Sequence, residues 1–450
     1  MKTMTLSIQH LLAMYAGAIL VPLIVGNGIG LNSEQLTYLV SIDILMCGAA
    51  TILQVVQNRY FGIGLPVVLG CTFTAVAPML QIGAQYGISS IYGAIIVSGL
   101  FVIIISCFFG KLVRFFPPIV TGSVVTIIGI TLIPVAINNM GGGEGASDFG
   151  SSSNLALAFG TLAFIIIIYR FNKGFIRSIA ILLGLLAGTV AAVIMGLVNF
   201  DAVHEASYFH MIQPFYFGMP TFDWPAIITM ILVAMVSLVE STGVYFALSD
   251  ITDKKLTQND LTRGYRAEGI AIVFGGIFNA FPYTAFSQNV GLMQMTGVKS
   301  RKVILVMGAM LIMLGFVPKM AALTTIIPTA VLGGAMVAMF GMVVAQGIKM
   351  LSKVIADSAE NSMIIACSIG MGLGVTVVPE LFERFPSSIQ ILMSNGIVAG
   401  STTAIIMNII FNMIPSKTKD KVSEDTPTPT EEMAVQPSVS PNYTNETKHA

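Results

Sequence analysis

Charge is the scarcest property of this 450-residue chain: 10% of its positions are Asp, Glu, Lys or Arg, while 55% are hydrophobic. A soluble domain carries about a quarter of its residues charged, so most of this chain's surface cannot face water. Cysteine is scarce as well. Cys47, Cys71, Cys107 and Cys367 all fall in apolar stretches and form no CxxC pair, which favours small buried hydrophobes over a disulfide framework or metal ligands. No small-residue cleavage site breaks the run from Leu11 to Val25, so the first apolar stretch reads as a retained span and not a signal peptide. The net charge of zero is uninformative as a total, and nothing in its distribution points to nucleic acid or to a bound cofactor.

Long apolar runs are abundant. Stretches of about 20 residues, enough to cross a hydrocarbon core of about 30 Å, recur from one end to the other. Fourteen spans are expected, at about 8–25, 36–56, 65–82, 88–109, 117–137, 155–170, 177–198, 225–248, 266–281, 283–297, 302–318, 325–348, 361–379 and 389–413. The fold class is therefore an all-α polytopic membrane protein. The basic residues test the count. With fourteen spans, alternate connections on one side collect twenty of the 22 Lys and Arg residues, among them Arg59, Arg170, Lys254, Arg263 and Lys349, and leave only Lys319 and Arg384 on the other. That partition places both termini in the cytoplasm. The transporter domain is expected to fill residues 1–415. Beyond Pro415 the composition turns to Lys, Thr, Pro, Ser and Glu; such a segment cannot bury a core, so 416–450 is expected to be a disordered cytoplasmic tail.

Fourteen divides into seven plus seven, and an odd number per half makes the second half enter from the opposite side. Two repeats are expected, about 5–198 and 220–415, related by inversion. Pro117-Pro-Ile-Val-Thr-Gly-Ser in the fifth span resembles Pro328-Thr-Ala-Val-Leu-Gly-Gly in the twelfth. The third span carries Gly70-Cys-Thr-Phe-Thr-Ala-Val-Ala-Pro78, and the tenth carries Phe281-Pro-Tyr-Thr-Ala-Phe-Ser-Gln-Asn289. Both are polar, β-prone and bounded by Gly or Pro. Interrupted segments at corresponding places in two halves are the best sequence pointer to a transporter's binding site, because irregular backbone survives at membrane depth only where protein or a polar cavity satisfies it.

Ionisable groups inside spans are few, and each calls for a role. Glu240 lies deep in the eighth span and Asp43 in the second. Glu268 opens the ninth, where a plainer role is pairing with Arg266. His10, after Gln9, opens the first, where a structural hydrogen bond competes with substrate contact. Asp43 has no role fixed by its neighbours and could simply link helices. Gln288 and Asn289 each offer amide donors and a carbonyl acceptor, and Gly291 permits close approach.

These residues resemble a known family. Gln288-Asn-x-Gly291-x-x-x-x-Thr296-Gly297 matches the signature of the nucleobase–ascorbate transporters, Q/E/P-N-x-G-x-x-x-x-T-R/K/G, and Gln9-His10 and Glu240 match it too. The likeness covers about 5–415 and is nearest to bacterial xanthine permeases in Ser7–Gly17 and Leu65–Ala75. It implies core and gate domains, short antiparallel strands in the third and tenth spans, a homodimer in the lipid bilayer, and proton symport of a nucleobase. It also implies a substrate site: Glu240 and Gln288 grip the ring from opposite sides, the Phe73 ring packs on the base, and Thr72, Ser287 and Asn289 add contacts. Glu268 and His10 would support the site or the proton coupling. One position departs from the pattern: several relatives carry His or Asp one turn after the eighth-span Glu, and here that residue is Val244.

Glu240 as acceptor and Gln288 as both donor and acceptor suit the alternating N–H and C=O edge of an oxidised purine. A site built to bond such groups rejects analogues that leave them unpaired. Xanthine is the expected cargo, carried into the cell with protons, with urate or uracil as the alternatives. Glu240 is expected to be protonated before or during substrate binding. An enzyme would need a reactive constellation, and the best candidate, His204-Glu205 with His210, lies in an outer loop without HExxH spacing. A passive channel or an inorganic-anion carrier would leave the Gln288 signature unexplained.

Overall fold

A computed structural model of the chain describes residues 2–112, 117–352, 354–355, 358–386, 390 and 393–414. The expected tail at 416–450 and the expected start of the last span at 389 lie outside them. Local signals start many of the helices. Asn32 caps the second span, Ser33–Val55, in a reciprocal box with Gln35, and Thr257 and Asp260 do the same for the ninth, Gln258–Ile277. Each box satisfies otherwise orphaned N–H donors. Proline occupies the first turn of the fifth span, Pro118–Met140, and of the eighth, Trp224–Thr252, where its missing N–H costs nothing.

Among the described residues, nine helices are long and apolar enough to cross a membrane. They are the first span, Lys2–Gly28, the second, the fourth (Ile88–Leu112), the fifth, the sixth (Ser152–Phe171), the eighth, the twelfth (Thr329–Leu351), the thirteenth (Ala359–Val377) and the fourteenth, Gly396–Asn408 with its π-turn to Met413. The other five expected spans are shorter, broken or more polar. The seventh is split into Gly174–Ser178 and Ala180–Ile194, and the eleventh, Arg301–Gly315, turns by 81° into the short helix Pro318–Thr325. The ninth differs from expectation: it starts at Gln258, well before residue 266, because its capping box sits on polar residues that hydropathy passes over. Glu268 therefore stands nearly three turns inside the helix and not at its mouth.

The third and tenth spans are half strand and half helix. Strand β1 (Leu69–Cys71) leads through the turn Phe73–Ala75 into the helix Val76–Tyr86. Strand β2 (Tyr283–Ala285) leads into Ser287–Thr296. The strands pair antiparallel, with Leu69 opposite Ala285, Gly70 opposite Thr284 and Cys71 opposite Tyr283.

The packing obeys an exchange of the two halves. The second span packs on the eleventh as the fourth packs on the ninth; the sixth meets the twelfth as the thirteenth meets the fifth; and the fifth and twelfth pack on each other. Close approach is built in the same way on both sides. A Cβ at Gly48 would come within 2.5 Å of the Gly308 carbonyl oxygen, and one at Gly269 within 2.9 Å of the Gly99 carbonyl oxygen. Spans one to four and eight to eleven form one body, the core, and the remaining six form the gate. The gate's outer helices leave large apolar side chains uncovered, among them Ile166, Phe171, Leu186 and Ile194, which suits a lipid solvent.

Candidate functional site

The strand pair is the scaffold of the site. Its ladder is extended by the Thr72 N–H donating to the Pro282 carbonyl at 2.9 Å and the Phe286 N–H donating to the Val68 carbonyl at 2.9 Å. The second span secures one side: the Leu69 N–H donates to Thr51 Oγ1 at 3.0 Å. Asp43, fully buried, accepts the Phe281 N–H at 3.1 Å and the Cys71 thiol, and Cys47 Sγ lies 3.9 Å from Cys71 Sγ. Asp43 thereby ties the second span to the end of β1 and to the segment leading into β2, the role its sequence neighbours left undecided. The cysteines divide. Cys47 and Cys71 are buried as expected, whereas Cys107 is exposed beside Arg266, whose guanidinium donates to its sulfur at 2.8 Å, and Cys367 is half-buried.

The eighth span secures the other side. Ser237 Oγ lies 3.3 Å from Thr72 Oγ1, and one turn on, Ser241 Oγ accepts the Ala285 N–H at 3.0 Å and lies 3.1 Å from Thr284 Oγ1. Glu240 is beside them on the helix, half-buried, and a cavity of about 10 Å³ next to it is lined by Thr121, Val124, Val125 and Ile128 of the fifth span and Val236 and Val239 of the eighth. Such a space holds about one water molecule. A purine needs more room, so the core and gate are closed on each other at Glu240.

Around the strands stand the expected contact residues. The Phe73 ring lies parallel to Phe286, with centroids 6.3 Å apart and planes 7° from coplanar, and edge-on to Phe340 at 6.1 Å. Ser287 and Gln288 begin the tenth-span helix, whose free N–H groups concentrate partial positive charge there. Gln288 is exposed, and neither its side chain nor that of Glu240 makes a hydrogen bond among the described residues. Asn289 is buried and donates to the His10 carbonyl at 3.3 Å; both ring nitrogens of His10 and the Asn289 Oδ1 are buried without partners. The structure thus brings Thr72, Phe73, Ser287, Gln288, Asn289 and His10 around one strand pair, with Glu240 on the helix that braces it.

Glu268 takes a place the sequence did not reveal. It is fully buried and has no contact with Arg266, whose partner is Cys107; its Oε1 accepts the hydroxyl of Tyr245, and Tyr245 in turn accepts from Gln54 Nε2. Ser237, Ser241 and Tyr245 were missed, although their four-residue spacing marks one polar face of the eighth span. Val244, one turn after Glu240, is buried. Of the reactive constellation weighed in the outer loop, Glu205 and His210 line an open hollow together with Tyr38, Glu34 and Tyr216, while His204 does not. His210 lies 5.4 Å from the Tyr38 ring, and burial pushes its pKa below the usual histidine value.

Two interrupted spans from oppositely oriented halves, paired through strands and presenting unbonded polar side chains, define a membrane permease of the inverted-repeat class. A family model described as a permease family matches residues 1–381. The xanthine permease of Bacillus subtilis is 65% identical over 424 residues, covering 94% of this chain and 97% of that protein. The uric acid permease PucK of the same organism is 63% identical, covering 91% of this chain and 96% of its own length. The uric acid transporter UacT of Escherichia coli is 42% identical over 91% of this chain and 86% of its own. Among solved structures, the transmembrane domain of the cyanobacterial bicarbonate transporter BicA superposes with a TM-score of 0.60 at 16% identity, over 90% of this chain and 97% of that one, which shows the shared fold. The chain belongs to the nucleobase–ascorbate transporter family, and it is a transporter rather than an enzyme.

Proposed function

We propose that this protein carries xanthine into the cell by proton symport, with Glu240 and Gln288 as its principal substrate contacts. One observation carries the reading most: Glu240 and Gln288 keep their full hydrogen-bonding capacity beside a strand pair whose own backbone is satisfied. A carboxylate accepts two ring N–H groups, and a carboxamide both donates and accepts, so together they match the mixed edge of an oxidised purine. Thr72, Phe73, Ser287 and Asn289 complete the binding set, with the Phe73 ring as the apolar face for the base. Glu268 and His10 support the site, and the carboxylates take up the driving proton. Each repeat (about 5–198 and 220–415) contributes to both core and gate, and transport then consists of the core rocking against the gate to open the space now closed at Glu240. Both termini and the 416–450 tail lie in the cytoplasm, and the chain acts as a homodimer in the cell membrane.

Urate is the second reading, supported by the similar identities to the Bacillus xanthine and uric acid permeases, 65% and 63%. Uptake of labelled xanthine in cells lacking their own permeases, competed with urate, uracil, guanine and ascorbate, separates these cargoes. Xanthine is expected to compete best, and a protonophore is expected to abolish accumulation. Competition by uracil but not by xanthine overturns the choice.

A further inference from the structure

Val244, one turn after Glu240, is a buried apolar residue that offers it no polar partner. The neighbouring residue supplies a different arrangement. Tyr245 is fully buried, faces the ninth span, and stands in a directed chain: Gln54 Nε2–H donates to the Tyr245 oxygen, and the Tyr245 O–H donates to Glu268 Oε1. Two atoms at the ends of this chain, Gln54 Oε1 and Glu268 Oε2, are buried and lack partners. A buried acceptor left unmet is costly. Gln54 Oε1 is the acceptor that a reversed chain needs, and Glu268 Oε2 is open to a proton.

We propose that Tyr245 and Gln54 form a reversible hydrogen-bond switch that holds Glu268 in either protonation state, making Tyr245 the positioning residue for proton coupling. With Glu268 ionised, the chain runs from Gln54 through Tyr245 to the carboxylate, as observed. When a proton adds to the carboxylate, the new O–H donates to the Tyr245 oxygen. The Tyr245 hydroxyl then rotates and donates to Gln54 Oε1 once the amide turns over. No proton leaves the tyrosine, and its hydroxyl keeps one donated and one accepted hydrogen bond in both states. Coupled donors and acceptors in a low-dielectric interior strengthen one another, which favours reversing both bonds together.

The switch spans the two repeats, since Gln54 belongs to the second span and Tyr245 and Glu268 to the eighth and ninth. It also reaches the substrate scaffold. Ser241 lies within hydrogen-bonding reach of Glu268 and accepts the β2 Ala285 N–H, two residues before Ser287. The titratable groups facing Glu268 are Tyr245 and Glu240 from the eighth span and Tyr265 from its own, the last held at 2.7 Å from Thr242 Oγ1. On the neighbouring fourth span, Tyr92 is committed to the Asn279 carbonyl and Cys107 to Arg266; on the second, Asp43 is committed to Phe281 and Cys71.

The inference rests on the proton-symport reading, and its test keeps the two apart. Purified protein in liposomes is assayed for xanthine exchange, which needs no net proton movement, and for accumulation driven by a pH gradient. Tyr245→Phe is expected to leave exchange within about twofold of the wild type while accumulation falls roughly tenfold to a hundredfold, the loss expected when a buried charged group loses a hydrogen bond. The pH profile of uptake changes with it, and the carboxylic C=O band of Glu268, identified by its absence in Glu268→Gln, shifts in the infrared difference spectrum. Unchanged accumulation with an unchanged profile overturns the switch, and so does an equal loss of exchange and accumulation in folded protein. Should Tyr245→Phe fail to reach the membrane, Gln54→Leu carries the same expectations and the same refuting outcomes. A wild-type chain whose accumulation ignores a protonophore removes symport itself.

Discussion

Gly70 is where a single carbon should disturb transport. It sits in β1 opposite Thr284, directly beneath the Phe286 ring. A Cβ added there would meet three ring atoms at 2.6, 2.7 and 2.8 Å. Carbon atoms rest at about 3.6 Å, so one partner must move by about 1 Å. The strand cannot, because its neighbours Leu69 and Cys71 are tied to Thr51 and Asp43. Phe286 must therefore move, and it is hemmed in by Gly17, where a Cβ would lie 3.0 Å from the same ring. Overpacking of this kind costs about 1–3 kcal/mol. If the strain falls on the Phe73–Phe286 pair, where the proposed function seats the base, xanthine affinity drops by roughly fivefold to 150-fold. The assay is initial uptake against concentration for Gly70→Ala, with the melting temperature of the purified protein alongside. KM is expected to rise, and shrinking the ring with Gly70→Ala/Phe286→Leu is expected to recover part of the loss. A Gly70→Ala protein with wild-type KM and wild-type melting temperature would refute the packing argument.

Four further outcomes follow from the same contacts. Asp43→Ala strands the buried Phe281 N–H at a cost of about 1–3 kcal/mol, read as a lower melting temperature, whereas Asp43→Asn keeps an acceptor and loses less. Glu240→Gln should abolish proton-coupled uptake in intact, correctly inserted protein; accumulation of xanthine against a gradient by that variant would contradict the assignment of Glu240. Gln288→Glu replaces a donor with an acceptor and should weaken xanthine competition by roughly tenfold or more, measured in the same uptake assay. His210, outside the spans, has its pKa lowered by burial, so the unfolded chain takes up its proton first as pH falls. The stability His210 contributes is therefore present above its unfolded pKa of about 6.5 and is lost as pH drops below it; His210→Gln should flatten that part of a melting-temperature profile.

The span count was legible because it rests on additive properties: apolar runs have a length set by the bilayer, and the basic residues sort themselves between alternate loops. The broken third and tenth spans were legible for a similar reason, since Gly70, Pro78 and Pro282 interrupt otherwise apolar segments. Thr72, Phe73, Ser287 and Gln288 followed from the resemblance, and the structure gathers them around the strand pair. The ninth span was misjudged at its start because the Thr257–Asp260 capping box is a local hydrogen-bonding signal on residues that hydropathy scores as loop. That error moved Glu268 from the helix interior to its mouth and made Arg266 a competing partner for it.

Composition, periodicity and the Gln288 signature by themselves determined a fourteen-span inverted repeat of a recognisable transporter family. Those features depend on each residue's own chemistry and its neighbours along the chain. Only the tertiary structure decided which groups meet across the halves: Asp43 with Phe281 and Cys71, and Gln54 with Tyr245 and Glu268. Their partners lie far apart in sequence, and a hydrogen bond between two buried groups is written in no local pattern, because its geometry exists only after both helices have packed.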